Sequence, residues 1–284
     1  TSWDNRTYET TTKLYGVTYG NGTFVTVSSS GKIFTSSDGT TWTSRTSGTS
    51  NLMGITYGNG LFVTVGNTGT ILTSSDGTSW DNRTSGTTNY LTGVTYGNGT
   101  FVTVGGFLPS WGENNGIIFT SSDGTSWDNR TSGTTKLLSG VTYGNSTFVT
   151  VGNNGTILTS SDGTTWTERT SGISKSLTGV TYGNGTFVTV GYTVSTSSTS
   201  TSDNSTPTIT TEKSTTTLTS SDGVTWTLRD SGTSNELRGS ITYGNGLFVT
   251  VGWEGTLLTS SDGISWDNRT SGTTNTLYGV TYKE

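Results

Sequence analysis

The chain has 284 residues, of which 27% are hydrophobic and only 12% charged, a length that suits one or two domains. It contains no Cys and no His, which removes thiol nucleophiles, disulfides, imidazole bases and the usual zinc ligands, so no metal and no cofactor is expected. A net charge of −5 speaks against a nucleic-acid partner, which needs clustered cations, and no apolar run approaches the roughly 20 residues that insert into a membrane as a helix.

In chain order, the first seven residues, Thr1 to Thr7, copy residues 125–131, so the sequence opens in mid-repeat. From there one unit is written about six times. The Asp of its Ser-Ser-Asp-Gly element falls at Asp38, Asp76, Asp123, Asp162, Asp222 and Asp262, with intervals of 38, 47, 39, 60 and 40 residues. The second copy shows the unit clearly. Met53–Tyr57 predicts a first strand, and Gly58-Asn59-Gly60 a tight hairpin, because Asn-Gly supplies the positive φ that such turns need. Leu61–Val65 predicts a second strand, Gly66–Gly69 a turn and Thr70–Ser74 a third strand. Ser75-Asp76-Gly77 turns again into a fourth, Ser79–Thr84, and Ser85–Tyr90 links to the next copy. Four antiparallel strands per ~40 residues, with a longer link between copies, predict an all-β fold, a β-propeller of four-stranded antiparallel blades. A β-solenoid has shorter coils and does not spend three hairpin turns per repeat.

The unbroken repeat predicts a single propeller domain over 1–284, with insertions at 105–116 and 192–216. First strands recur at Tyr19, Tyr57, Tyr96, Tyr143, Tyr182, Tyr243 and again at Tyr282, and fourth strands occur seven times counting Trp3. Second and third strands occur only six times. The expectation is therefore six complete blades plus terminal strands of a seventh, with residues 277–282 innermost and residues 1–7 outermost. Such a gap invites strand complementation by another chain, that is self-assembly, and the 192–216 insertion is one candidate donor.

The element from Ser36 to Trp42, repeated at Ser74 to Trp80, Ser121 to Trp127, Ser160 to Trp166, Ser220 to Trp226 and Ser260 to Trp266, resembles the Asp-box of BNR-repeat propellers such as sialidases and the photosystem II assembly factor type. One residue fewer separates Asp from Gly than in that motif. Its Asp is read as structural, accepting backbone N–H bonds inside its own turn, with Gly supplying the unusual φ and Trp covering the hairpin. Sialidase activity would need three arginines, a tyrosine with a glutamate and an acid aspartate at unique positions. The arginines Arg6, Arg45, Arg83, Arg130, Arg169, Arg229 and Arg269 instead each follow a strand-four Trp by three residues, as parts of the repeat that pack over Trp or bond neighbouring turns. No catalytic set is present, and the chain is not expected to be an enzyme.

Function is expected where the copies differ. The turn between the second and third strands lengthens in the third copy, bringing Phe107, Trp111 and Glu113, and in the fifth, from Tyr192 to Thr216. In the sixth it reads Gly252-Trp253-Glu254-Gly255. A propeller places these turns on one face, so Phe107, Trp111, Glu113, Tyr192, Trp253 and Glu254 are the candidate ligand- or partner-binding residues. Exposed rings beside carboxylates suit either sugar rings or a protein partner. Among the Asn-x-Ser/Thr sequons, Asn204 is the one least explained by turn chemistry and the candidate glycosylation site. The reading favoured is a non-enzymatic, secreted or cell-surface module for adhesion or assembly. A lectin-like propeller binding glycans is the alternative, and a protein-binding scaffold resembling the photosystem II assembly factor is a third.

Overall fold

The computed structural model describes residues 10–107, 115–199 and 208–283, the side chains of 194–199 and 208–213 excepted. Six four-stranded antiparallel sheets form the blades of a β-propeller. They span 14–46, 52–83, 90–130, 138–169, 176–229 and 241–268, and in each the strands are ordered as in the chain. In the second blade the strands are Leu52–Gly58, Leu61–Gly66, Ile71–Ser74 and Asp81–Arg83. The Asn-Gly turns have the predicted left-handed backbone, with Asn59 at φ 50° and Gly60 at 76°.

The fourth strand is shorter than Ser79–Thr84, for a local reason. Asp76 accepts the Ser79 N–H at 3.0 Å and the Trp80 indole N–H donates to the Gly77 carbonyl at 3.1 Å. Those residues belong to the turn, so pairing starts at Asp81, opposite Thr73. Arg83 neither packs over Trp nor bonds a turn as expected: its Nε–H donates to Thr73 Oγ1 at 2.9 Å and so ties the outermost strand to the third.

Blades are sandwiched between neighbours, which is why their middle strands are apolar on both faces. Val25, Val27 and Ile33 of the first blade meet Leu52, Phe62 and Leu72 of the second. Equivalent clusters recur at each of the next four junctions, the last without the third-strand Ile, since Thr217 stands at its position. Between the two valines, Thr64 is fully buried, and its hydroxyl donates to the Gly54 carbonyl at 2.8 Å, so the polar atom costs little. At the inner end of each blade a glycine admits the next blade's tyrosine. A Cβ on Gly58 would overlap the Tyr96 ring, and the same holds for Gly97 against Tyr143 and Gly183 against Tyr243.

That lock continues past the sixth blade: Gly244 faces Tyr282 as Gly58 faces Tyr96. The C-terminal segment 277–283 thus lies between the sixth blade and the first. The Ser240 N–H donates to the Tyr278 carbonyl at 2.8 Å, the Tyr15 and Tyr278 rings meet edge-on at 5.3 Å, and Lys283 Nζ lies 5.3 Å from the Tyr19 ring centre. The segment seats where a seventh first strand would stand. Residues 1–7 lie outside the described residues.

In the fifth blade the middle strands, Thr186–Thr199 and Thr208–Ser220, pair without interruption from Phe187↔Ser220 to Thr199↔Thr208. The insertion is a ribbon that extends the blade.

Candidate functional site

The Ser-Ser-Asp-Gly turns lie on one face, with the Asn-Gly turns. Each is closed by its own side chains. Asp162 accepts Ser160 Oγ–H at 2.9 Å, the N–H groups of Thr164 and Thr165 at 2.8 and 2.9 Å, and the Thr164 hydroxyl at 2.7 Å, while the Gly163 N–H donates to Ser160 Oγ at 2.8 Å. These donors hold the Asp162 carboxyl below the ordinary carboxylate range, the Thr164 hydroxyl first and the backbone N–H of Thr165 next. Asp38, Asp76, Asp123, Asp222 and Asp262 are shifted in the same direction by equivalent bonds. A carboxylate saturated by its own turn has little left for a ligand, and among the described residues no cluster of three acidic groups could hold a metal.

The opposite face carries the turns between second and third strands and the links between blades. Two shallow clefts there, one from Thr68 to Asn89 and its equivalent from Asn154 to Ser174, are features of the repeat. Among the described residues, the feature there outside the repeat is an aromatic and charged group where the fifth and sixth blades meet. Arg238 lies over two rings at once, its guanidinium carbon 4.8 Å from the Tyr192 centroid and 4.9 Å from that of Trp253. Its Nε–H donates to Glu236 Oε2, a carboxylate whose side chain is 2% exposed while the guanidinium side chain is 32% exposed. Partial burial opposes the Arg238 charge, yet the Glu236 hydrogen bond and the nearby Tyr192, Glu236 and Tyr278 outweigh it and raise its pKa. The backbone completes the group, since the Trp253 N–H donates to the Glu236 carbonyl at 2.8 Å. Beside Tyr192, Lys175 Nζ, in the link that enters the fifth blade, donates to the Thr215 carbonyl at 3.4 Å.

Of the candidates read from sequence, the structure brings Tyr192 and Trp253 together, both half-buried. Glu254 is exposed beside them, in a turn where it holds a φ of 53°. Phe107 is half-buried at the end of a third-blade strand, and no ring contact among the described residues joins it to that group. Trp111, Glu113 and Asn204 lie outside the described residues. The sequence reading missed Arg238 and Glu236. The signal was present: they flank a leucine found in every copy, at positions that otherwise read Lys13 and Tyr15, Asn51 and Met53, Tyr90 and Thr92, Leu137 and Ser139, Ser176 and Thr178, and Thr276 and Tyr278.

A guanidinium 4.8 and 4.9 Å from two ring centres and hydrogen-bonded to a buried carboxylate is a preorganised platform. The Arg238 side chain, partly exposed, can donate to a carboxylate or a backbone carbonyl, and the adjacent rings offer apolar surface.

The fold is a known one. A structure described as YCF48 bound to D1 peptide is similar, with a TM-score of 0.64 at 17% identity, over 95% of this chain and 87% of that one. YCF48 from Cyanidioschyzon merolae gives 0.65 at 15% identity, over 98% and 92%. The computationally designed Ika8 protein gives 0.59 at 12% identity, over 96% and 91%. At these identities the likeness concerns the fold. No family model and no curated protein sequence matches the chain.

Proposed function

We propose that the protein is a non-catalytic, protein-binding propeller, and that it grips an extended segment of its partner on the face built by Tyr192, Arg238 and Trp253. The observation that carries this is the Arg238 platform, the one place on that face among the described residues where rings, a cation and a buried counter-ion converge outside the repeat. A partner carbonyl or carboxylate would meet the guanidinium edge, with an apolar side chain against the Trp253 or Tyr192 ring. It is consistent with this reading that one structure of the same fold is of YCF48 with a peptide bound. The platform lacks a separated acid, base and nucleophile, so binding suits it better than turnover. Adhesion or assembly at a cell surface would be the same binding chemistry used outside the cell.

Panning a random 15-residue peptide display library against the immobilised protein tests this. Enriched sequences should share an apolar residue beside an acidic residue or a free C-terminus, and should lose binding to Trp253→Ala. No enrichment, or enriched sequences that bind the variant equally well, would count against the reading. A glycan array run in parallel addresses a lectin. Sugar binding that depends on Trp253 would replace the protein partner with a carbohydrate.

A further inference from the structure

The junction between the sixth and first blades differs from the other five. Each of those five buries an apolar cluster drawn from two blades. No such cluster joins the sixth blade to the first among the described residues. The difference is visible residue by residue. Val25, Val63, Val102, Val149 and Val188, at one position of the second strand, are all fully buried, while Val249 at that position is half-buried. Phe62, Phe101, Phe148, Phe187 and Phe248 are fully buried, while Phe24 is half-buried. Leu14 is half-buried where Leu52, Leu91, Leu138 and Leu177 are at 0% exposure. The turn glycine of each later blade packs on the preceding blade's second strand, Gly77 on Val25 and Gly163 on Val102, but Gly39 meets only Phe24 of its own blade.

Among the described residues, only the inner segment 277–283 lies between those two faces. Among the described residues no strand pairs with its outer side, and Tyr282 is 39% exposed. An unpaired edge flanked by two apolar walls is an incomplete blade, and edges of this kind accept added strands.

The five complete junctions specify what fits. Against the position of Phe24, each places two second-strand valines from the preceding blade, joined in four of the five by a third-strand Ile. Against the position of Val249, each places a second-strand Phe, a third-strand Leu or Phe and a turn Gly from the following one. We infer that the position between the sixth and first blades is a docking site for a β-hairpin of this chain's own second- and third-strand type, supplied by a partner segment that reads Phe-Val-Thr-Val-Gly, a turn, then Ile-Leu-Thr-Ser-Ser-Asp-Gly. Its first strand pairs with 277–282, its Phe covers Val249, and its valines cover Phe24 and Gly39. The ribbon of the fifth blade is a poorer occupant. Its sequence from Val194 to Thr199 and from Thr208 to Lys213 is Ser/Thr-rich and lacks the alternating Phe and Val.

The test uses a synthetic peptide of residues 144–166 and the full chain, read by calorimetry and by hydrogen exchange. The expected result is a 1:1 complex, at least tenfold slower exchange across 277–283, loss of binding in Val249→Asp, and no binding of a scrambled peptide of the same composition to the wild type. Circular dichroism and melting of Val249→Asp establish that it folds. If it does not, Val249→Thr, which keeps the shape and removes the apolar contact, is used instead and should weaken binding at least tenfold. No binding would overturn the inference, as would binding that neither variant weakens. Full protection of 277–283 in the free protein, or a dimer that excludes the peptide through the fifth-blade ribbon, would also overturn it, since the edge would then be covered by something else.

Discussion

Replacing the same residue of two blades measures how complete each blade junction is. Phe148 and Phe24 have matching surroundings within their own blades: each packs on a Tyr, at 4.6 Å for Tyr143 and 4.7 Å for Tyr19, and on a Trp at 6.4 Å, Trp166 or Trp42. They differ in what the preceding blade provides. Phe148 is also covered by Val102, Val104 and Ile118 and is 0% exposed, whereas Phe24 has no such wall among the described residues and is half-buried. Phe148→Ala removes a fully buried ring and leaves a cavity, a change that costs about 3–5 kcal/mol. Phe24→Ala loses the contacts of one side only, and with solvent at the other side the void is relieved, so about half that loss is expected, on the order of 2 kcal/mol. The difference of about 2 kcal/mol corresponds to roughly 30-fold in the unfolding equilibrium. Equilibrium urea denaturation followed by Trp fluorescence gives both values, and calorimetry checks that the ring unfolds in one step, as the bookkeeping requires. Equal losses at the two positions would refute the reasoning, because Phe24 would then be as well covered as Phe148.

Gly58→Ala is expected to destabilise by about 1–3 kcal/mol, since the new methyl must displace the Tyr96 ring; a melting temperature unchanged within error would show that the glycine–tyrosine lock is loose. Asp162→Ala removes the acceptor of four bonds in an exposed turn, and by analogy with helix caps should cost about 1 kcal/mol; thermal melting of the variant checks this, and peptide binding on the other face should not change. The six turn carboxyls have folded pKa values below their unfolded ones, so they stabilise the fold in full above the unfolded Asp value of about 3.9 and lose that contribution as pH falls through the folded values. With no His in the chain, melting temperature should be level between about pH 5 and 8 and fall below about pH 4; a transition near pH 6 would point to a group this account leaves out.

The fold was readable because the signals are local and repeated. Asn-Gly turns, the alternation in Phe-Val-Thr-Val and the Ser-Ser-Asp-Gly turn each fix the backbone within a few residues, and the copies average out ambiguity. The count of seven first strands against six second strands also pointed to where 277–283 would seat. What escaped was a tertiary contact. Tyr192 and Trp253 stood out as aromatic residues in variable turns, but Arg238 that joins them lies in a link between blades, and the other arginines had been assigned to the repeat. Their pairing depends on two adjacent blades presenting a mid-strand residue, a turn and a link at one place, which no single repeat encodes. Phe107 had the same sequence signal as Tyr192, yet it sits two blades away from the platform.

The central claim is that the platform of Tyr192, Arg238 and Trp253 binds the partner segment. The most direct measurement is calorimetric titration of the strongest panned peptide into the wild type, Trp253→Ala, Arg238→Lys and the control Leu228→Ala, whose side chain is 59% exposed on an outermost strand. The account predicts at least tenfold weaker binding for the first two variants, because one loses the ring and the other keeps the charge without the planar two-pronged donor, and no change for the control. Equal affinity across all four proteins would contradict it.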